Sequence, residues 1–347
     1  MKVKENEPLA PLTSFGVGGP AKHLITIEAL TDIESAVKEL DSSLPLWPLG
    51  YGTNVLISDH GLPGTTLLFR HKEIRMEDGL LIADAGVWWD DLVLYAIEHG
   101  LWGIEFMSGI PGSVGAGVYI NITAYGQAQA DTLEWIDVID TKNHEAKRLM
   151  ARDLAWDYKQ SIFQANNGYI IVRAAYRLSS GLTKELTYQR ALDVASELNL
   201  IPDTLESRRR IILEARNQAG SLFDYQHAFA KSVGSFFRNP IVTPEQAEVV
   251  AAFDETGKTK EQINLMNQEH GGTQLRVSAA HVMLAAGYKR GQSWGPVRLH
   301  PQHVLKIENA GGATAQQIYD VAQKIITTIK SKLGITLLPE AQILGEF

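Results

Sequence analysis

The sequence predicts an α+β protein of more than one domain, and three observations carry that prediction. At 347 residues and 45% hydrophobic content, the chain is too long for one simple domain and apolar enough to bury several cores. Short apolar runs of β character alternate with stretches that show helical spacing. Helix-start and helix-stop signals mark the borders between the two kinds.

Taken in chain order, "HLITI" (23–27), "TTLLF" (65–69), "LLIADAG" (80–86) and "GYIIVRAAYRL" (168–178) read as strands bounded by glycine, proline and charge. "TDIESAVKELDSS" (31–43) sets Ile33, Ala36, Val37 and Leu40 at helical spacing behind a capping Thr31. "DDLVLYAIEHG" (90–100) is a helix ending at Gly100. In the second half, Thr243, Pro244 and Gln246 form a helix start with capping-box spacing. Thr314 and Gln317 repeat it ahead of Ile318, Val321, Ala322, Ile325, Ile329 and Leu333, an amphipathic helix closed by Gly334. "ITLLPEAQILG" (335–345) then returns as a strand. Pattern changes near 70 and 220 divide the chain into 1–70, 71–220, 221–334 and a closing segment 335–347, with no internal repeat.

A net charge of −8 argues against a nucleic-acid partner, because no basic excess is available to displace counterions from phosphate. The run Arg208, Arg209, Arg210 in "TLESRRRIILEAR" reads as the solvated face of a helix. The absence of cysteine removes disulfides, thiolate metal sites and a cysteine nucleophile, so redox chemistry needs a borrowed cofactor. No apolar signal core opens the chain and no later stretch has membrane length, which makes the cytoplasm the expectation and a membrane none. His300 and His303 in "LHPQHVL" have no carboxylate between them and read as a polar edge, so no metal site is expected.

Two glycine-rich stretches carry chemical information. "PLGYGTNVLIS" (48–58) sets Gly50 and Gly52 before Thr53 and Asn54, a tight turn with backbone N–H groups and small polar side chains. "SGIPGSVGAGVYINITAYG" (108–126) repeats the theme on a larger scale. Neither fits GxxxxGK[ST] or GxGxxG; both are compatible with a long ligand carrying a pyrophosphate, or with ordinary turns. In "GSFFRNP" (234–240) Ser235 is a candidate site hydroxyl or a buried structural serine. Glu340 is a candidate acid or a rim carboxylate beside Pro339.

In their order and spacing, "LTSFGVGGPA" (12–21), "PLGYGTNVLISD" (48–59), "SGIPGSVGAGVYINITAYG", "YKQSIF" (158–163), "GSFFRNP" and "PEAQILG" (339–345) resemble the UDP-N-acetylenolpyruvoylglucosamine reductases, the MurB family of bacterial cell-wall synthesis. The resemblance implies a vanillyl-alcohol-oxidase/PCMH-type two-part FAD-binding fold with a C-terminal α/β substrate-binding domain, and segment 335–347 returning to the FAD half. It places Gly50, Tyr51, Gly52, Thr53, Asn54, Val55 and Leu56, with Ile110, Pro111, Gly112, Ser113, Gly115 and Ala116, at the FAD pyrophosphate, and Ile122, Gly126 and Ile171 along the cofactor.

The reaction it implies is reduction of FAD by NADPH, then hydride delivery to the enolpyruvyl ether of UDP-GlcNAc, giving UDP-N-acetylmuramate for peptidoglycan synthesis and, through it, cell shape and division. Ser235 matches the proton donor, Glu340 the second essential residue, and Lys159 the catalytic cation; Tyr158, Tyr188 and Asn239 match substrate-binding positions. A small nucleotide-sugar substrate is the partner implied, and a monomer the expected state.

The chain departs from the family on the substrate side. Tyr158-Lys159-Gln160-Ser161 has lysine where arginine is usual, which keeps the charge and loses the bidentate fork. "PEAQ" puts Gln342 in place of a cation, "NQAGSLFDY" after Arg216 lacks the Lys-Leu-Pro segment, and His281 stands where tryptophan is common. Two alternatives therefore stand beside the reductase: another FAD-dependent oxidoreductase on the same scaffold, and a weakly active flavin-binding paralogue.

Overall fold

The apolar runs form strands, and their pairing explains their composition. The structure is a computed structural model that describes residues 2–39, 44–165, 168–222, 231–253 and 274–347. It divides into two compact units: Met1–Glu7, Ala21–Gly52 and Leu62–Phe223 in one, and Pro8–Pro20, Thr53–Gly61 and Asp224–Phe347 in the other.

In the first unit, parallel strands Pro20–Ile27 and Leu46–Leu49 flank Leu62–Phe69, pairing Ile25 with Leu67 and Leu49 with Leu68. The exposed, charge-rich Lys2–Pro8 closes the edge of this four-stranded sheet, where charge discourages further pairing. A five-stranded sheet runs Ala146–Met150, Leu133–Asp140, Tyr169–Tyr176, Leu80–Asp84, Ile74–Glu77, antiparallel throughout. Leu80–Asp84 is buried along its whole length, which is why Leu80–Ala83 reads as an apolar run, and the buried Asp84 is paired with Arg173 at 3.2 Å. Helices Leu30–Glu39 and Trp89–Glu98 add Ile33, Val37, Trp89 and Leu92 to a core shared with Ile25, Leu67, Leu81, Ile136 and Ile170. Thr31 lies inside the first of these helices; Asp32 Oδ2 instead accepts from Glu28 N and Ala29 N at its start, and Leu40 lies outside the described residues.

The arginine run corrects the reading of a solvated face. Helices Gln189–Glu197 and Leu205–Gln218 pack on Phe106 through Ala191, Val194, Ile211 and Ile212. Arg208 lies on the buried face with them, its side chain 0% exposed, and its Nη1 meets Glu105 Oε1 at 2.9 Å, itself 0% exposed. Nη1 also donates to Lys184 O at 2.7 Å and Nε donates to Pro202 O at 2.9 Å, while Nη2 makes no hydrogen bond and lies 4.0 Å from Glu185 Oε2. The Glu105 carboxylate and the two carbonyls offset most of the cost of burying the guanidinium, with Nη2 left unbonded.

The second unit is built around helix Ala315–Leu333, whose Ile318, Ile325 and Ile329 pack with Phe15, Phe236, Phe237, Val282, Val297 and Ile307. Thr314 and Gln317 form the predicted capping box, and Gly334 (φ 67°) closes the helix in the left-handed conformation. Asp59 adds to the cap by accepting from Ala315 N and Gln316 N, both at 2.9 Å. Thr243 and Gln246 cap Pro244–Ala252 in the same way. The closing strand is shorter than the sequence suggests: Gln342–Leu344 alone is strand, paired in parallel with Val55–Ile57.

Glu105→Ala leaves the Arg208 guanidinium buried without its carboxylate and should destabilise the protein by about 3–5 kcal/mol. Urea unfolding checks this; a loss below about 1 kcal/mol, the range of exposed pairs, would show that the pair is solvated.

Candidate active site

In the first unit both glycine stretches fasten to one strip of backbone, Ala85–Trp89. Tyr51 Oη donates to Gly86 O at 3.1 Å, and its ring meets Trp88 edge-on at 4.8 Å. From the second stretch, Gly115 N reaches Ala85 O and Val114 N reaches Val87 O, while Trp89 N returns to Gly112 O, each at 2.9 Å. The two stretches consequently touch. A Cβ on Gly50 would sit 2.5 Å from Ser113 Oγ, and one on Gly115 would sit 2.8 Å from Ala85 Cβ. Gly112 at φ 133° and Gly52 at φ 64° take conformations that only glycine adopts at low cost. Ser113 caps helix Val114–Ile120 by accepting from Ala116 N, and Ile110 and Pro111 precede it in the loop.

Two cations that sequence reasoning missed stand at the Gly50 turn. Arg70 Nη1 donates to Gly50 O at 2.9 Å, with its guanidinium 4.6 Å from the centre of the Tyr51 ring, and Lys72 Nζ lies 6.0 Å from the same ring. The signal was the basic "FRHK" directly after strand Leu62–Phe69. Ile122 and Ile171 are buried members of the unit's main core, and Gly126 (φ 84°) turns its carbonyl to Lys184 Nζ.

Tyr158 and Lys159 form the two-residue turn of a hairpin between Trp156–Asp157 and Gln160–Ser161. Lys159 is half-buried at φ 56°, a left-handed conformation unusual for lysine. The turn is held from below: Asn121 Nδ2 donates to Asp157 O at 2.9 Å, and Ser161 Oγ to Tyr119 O at 2.5 Å. Asn121 is itself the left-handed cap (φ 49°) of helix Val114–Ile120, so the glycine helix carries the lysine turn. Tyr188 caps helix Gln189–Glu197 at 38% exposure, its ring edge-on to Tyr125 at 5.1 Å. Burial raises the Tyr125 hydroxyl above its ordinary pKa and lowers that of the nearby Arg216.

In the second unit, "GSFFRNP" and "LPEAQ" lie side by side. Phe237 bridges Pro339 antiparallel, Arg238 N donates to Leu338 O at 3.0 Å, and Glu340 N donates to Phe236 O at 2.8 Å. Ser235, half-buried, is thus one position from the residue bonded to Glu340, between Gly234 (φ 77°) and two buried phenylalanines that anchor it. Thr53 and Asn54 enter this unit, and Asn54 ties to the same segment: its Nδ2 donates to Glu340 O at 3.2 Å and its O accepts from Gln342 N at 2.9 Å. Val55 and Leu56 continue as the strand that pairs with Gln342 and Ile343. Asn239 turns Oδ1 to Ala279 N at 3.0 Å, at the start of the helix that carries His281. Among the described residues no cluster of metal-ligating side chains occurs.

Residues 21–148 match the FAD binding domain family, and residues 225–344 match the family described as UDP-N-acetylenolpyruvoylglucosamine reductase, C-terminal domain. The reductase of Streptomyces coelicolor is 33% identical, covering 97% of this chain and 89% of that protein. The chain belongs to the UDP-N-acetylenolpyruvoylglucosamine reductase family. The reductase of Mycobacterium tuberculosis is 31% identical over 99% of this chain and 95% of its own. The crystal structure of the Thermus caldophilus enzyme shares the fold with a TM-score of 0.66 at 22% identity, covering 99% of this chain and 98% of that one. As in its family, the protein is an FAD-dependent oxidoreductase with NADPH as reductant, and no helix among the described residues is long and apolar enough to cross a membrane.

The residues of the first unit fit FAD. A dinucleotide pyrophosphate calls for close backbone approach and positive charge, and the touching glycine turns with Arg70 and Lys72 beside them offer both.

Gly50→Ala tests this cradle. Its methyl group would collide with Ser113 Oγ, with an overpacking cost of about 1–3 kcal/mol. Flavin-fluorescence titration should show weaker FAD binding, partly restored by Gly50→Ala combined with Ser113→Gly. Wild-type affinity in Gly50→Ala would separate the turn from the cofactor.

Proposed function

We propose that this chain catalyses the NADPH-dependent, FAD-mediated reduction of UDP-GlcNAc-enolpyruvate to UDP-N-acetylmuramate in peptidoglycan precursor synthesis, as a cytoplasmic monomer. The observation that carries the reading beyond family membership is the backbone bond from Glu340 N to Phe236 O, which sets Ser235 and Glu340 on neighbouring positions of two paired segments. A reductase of an enol ether needs a proton donor held beside a second polar group, and a flavin-binding paralogue does not.

The touching glycine turns, with Arg70 and Lys72, would hold FAD, which would pass a hydride from NADPH to the terminal carbon of the enolpyruvyl group. The carbon beside the carboxylate then carries enolate character and needs a proton. Ser235 Oγ gives it: the hydroxyl is half-buried, and its segment is anchored by the buried Phe236 and Phe237. Lys159 supplies positive charge to the substrate carboxylate, as a point charge where most of the family has a planar fork. Glu340 matches the second essential residue, and Asn54, through its bond to Glu340 O, fixes the backbone that bears it. Tyr158, Tyr188 and Asn239 bind the nucleotide-sugar part. NADPH and the UDP-linked substrate are both cytoplasmic metabolites, which supports the location.

Ser235→Ala should leave flavin reduction by NADPH intact and slow reoxidation by UDP-GlcNAc-enolpyruvate by about 10²–10⁴, the usual contribution of a positioned acid. Stopped-flow absorbance separates the two half-reactions; equal slowing of both would assign Ser235 to folding or flavin binding.

Lys159→Ala should slow the same oxidative half-reaction far more than Lys159→Arg, because removing the cation is worse than changing its shape. Equal rates for wild type and both variants would remove Lys159 from the site and point to a different substrate.

A further inference from the structure

We infer that Asp90 and Arg209 form a latch that positions the Gly109 peptide, and through it the loop Ser108–Ser113 that faces the cofactor; the inference rests on the FAD reading given above. Asp90 lies in the first turn of helix Trp89–Glu98, next to the residue whose N–H holds Gly112 O. Its Oδ1 accepts from Gly109 N at 2.6 Å. Both of its oxygens are held by Arg209, Nη1 to Oδ1 and Nη2 to Oδ2, each at 2.7 Å, with the two side chains only 16% and 18% exposed. Two consecutive helix residues therefore grip the loop at both ends, Trp89 at Gly112 and Asp90 at Gly109.

A carboxylate held by one backbone N–H could rotate about its own side chain. The guanidinium fork removes that freedom, since a bidentate pair fixes the plane of the carboxylate as well as its charge. Helix Leu205–Gln218, which carries Arg209, also packs directly on the gripped peptide: a Cβ on Gly109 (φ 71°) would meet Leu213 Cδ2 at 2.7 Å. The neighbouring Arg208 anchors the same helix to Glu105, whose Oε2 accepts from Gly103 N at 2.7 Å. Arg208 thus fixes the helix, and Arg209 transmits that fixed position to the loop. Arg209 is a positioning residue, without contact to the reacting atoms.

The test compares the full-length wild type with Arg209→Ala, Arg209→Lys and Asp90→Asn, with Arg177→Ala, which breaks an exposed pair with Glu134, as control. FAD is titrated into flavin-free protein, the visible circular dichroism of bound flavin is recorded, and exchange of the Gly109 amide is followed by NMR. Arg209→Ala should raise the FAD dissociation constant about tenfold, in line with loss of a charge-assisted hydrogen-bond pair, alter the flavin dichroism and speed Gly109 exchange. Arg209→Lys should recover part of each, Asp90→Asn should resemble Arg209→Ala, and Arg177→Ala should match wild type. Unchanged Gly109 exchange in Arg209→Ala overturns the latch whatever the flavin does. Faster exchange with wild-type affinity and dichroism overturns its role toward the cofactor, as does equal loss in the lysine and alanine variants. Failure of the wild type to bind FAD overturns the cofactor reading, while the exchange result still decides the latch.

Discussion

Both glycine stretches depend on the strip Ala85–Trp89. Tyr51 binds Gly86 from one side, while Gly112, Val114 and Gly115 bind Trp89, Val87 and Ala85 from the other. With both stretches on one short rail the space between them is tight: a Cβ at position 50 would meet Ser113 Oγ and one at position 115 would meet Ala85, which favours glycine at both. The rail owes its own position to burial. It follows strand Leu80–Asp84, which is buried throughout, and ends at Trp89, which is 1% exposed. The candidate cofactor cradle is in this sense an extension of the core: a packing defect beneath Trp89 would be felt at the loops.

A similar logic runs through the other candidate segments, each within its own unit. The lysine turn is held by Asn121, the residue that ends the glycine helix, and the segment bearing Ser235 is held against Glu340 by backbone bonds. In each case a rigid element positions a loop that bears a candidate residue. The lysine that replaces the family's arginine occupies a left-handed turn position, so the backbone at 159 depends on the hairpin and on Asn121 more than on the residue's own preference.

The features legible in the sequence were those decided locally. The capping boxes at Thr243 and Thr314 and the terminating Gly100 and Gly334 depend on residues within one or two turns, and they form as read. The strands within "HLITI", "TTLLF", "LLIADAG" and "GYIIVRAAYRL" were legible from their apolar runs, whereas Leu133–Asp140, whose acidic residues interrupt the run, was not read. Arg208 was misread because its burial is decided by Glu105, far away along the chain, and a run of three arginines gives no hint that one faces inward. Thr31 lost its capping role to Asp32, an equally good local candidate. The closing strand came out short because its remainder is tied by isolated bonds to Phe236 and Asn54, a pairing no local pattern records. Arg70 and Lys72 were visible as charges, but not as neighbours of Gly50.

The family sets the chemistry, and the departures at Lys159 and Gln342 bear on how well this chain performs it. Gln342 is absorbed into structure, its N–H bonding Asn54 and its amide bonding Glu340 O. In the proposed reaction, Lys159 is then the position that supplies the charge at the substrate carboxylate. The most direct measurement is a single turnover: flavin reduced anaerobically with NADPH, freed of nicotinamide, and mixed with UDP-GlcNAc-enolpyruvate. The account predicts reoxidation of the flavin with formation of one UDP-N-acetylmuramate per FAD. Flavin that stays reduced in the presence of that substrate, or reoxidises without the product, would contradict it.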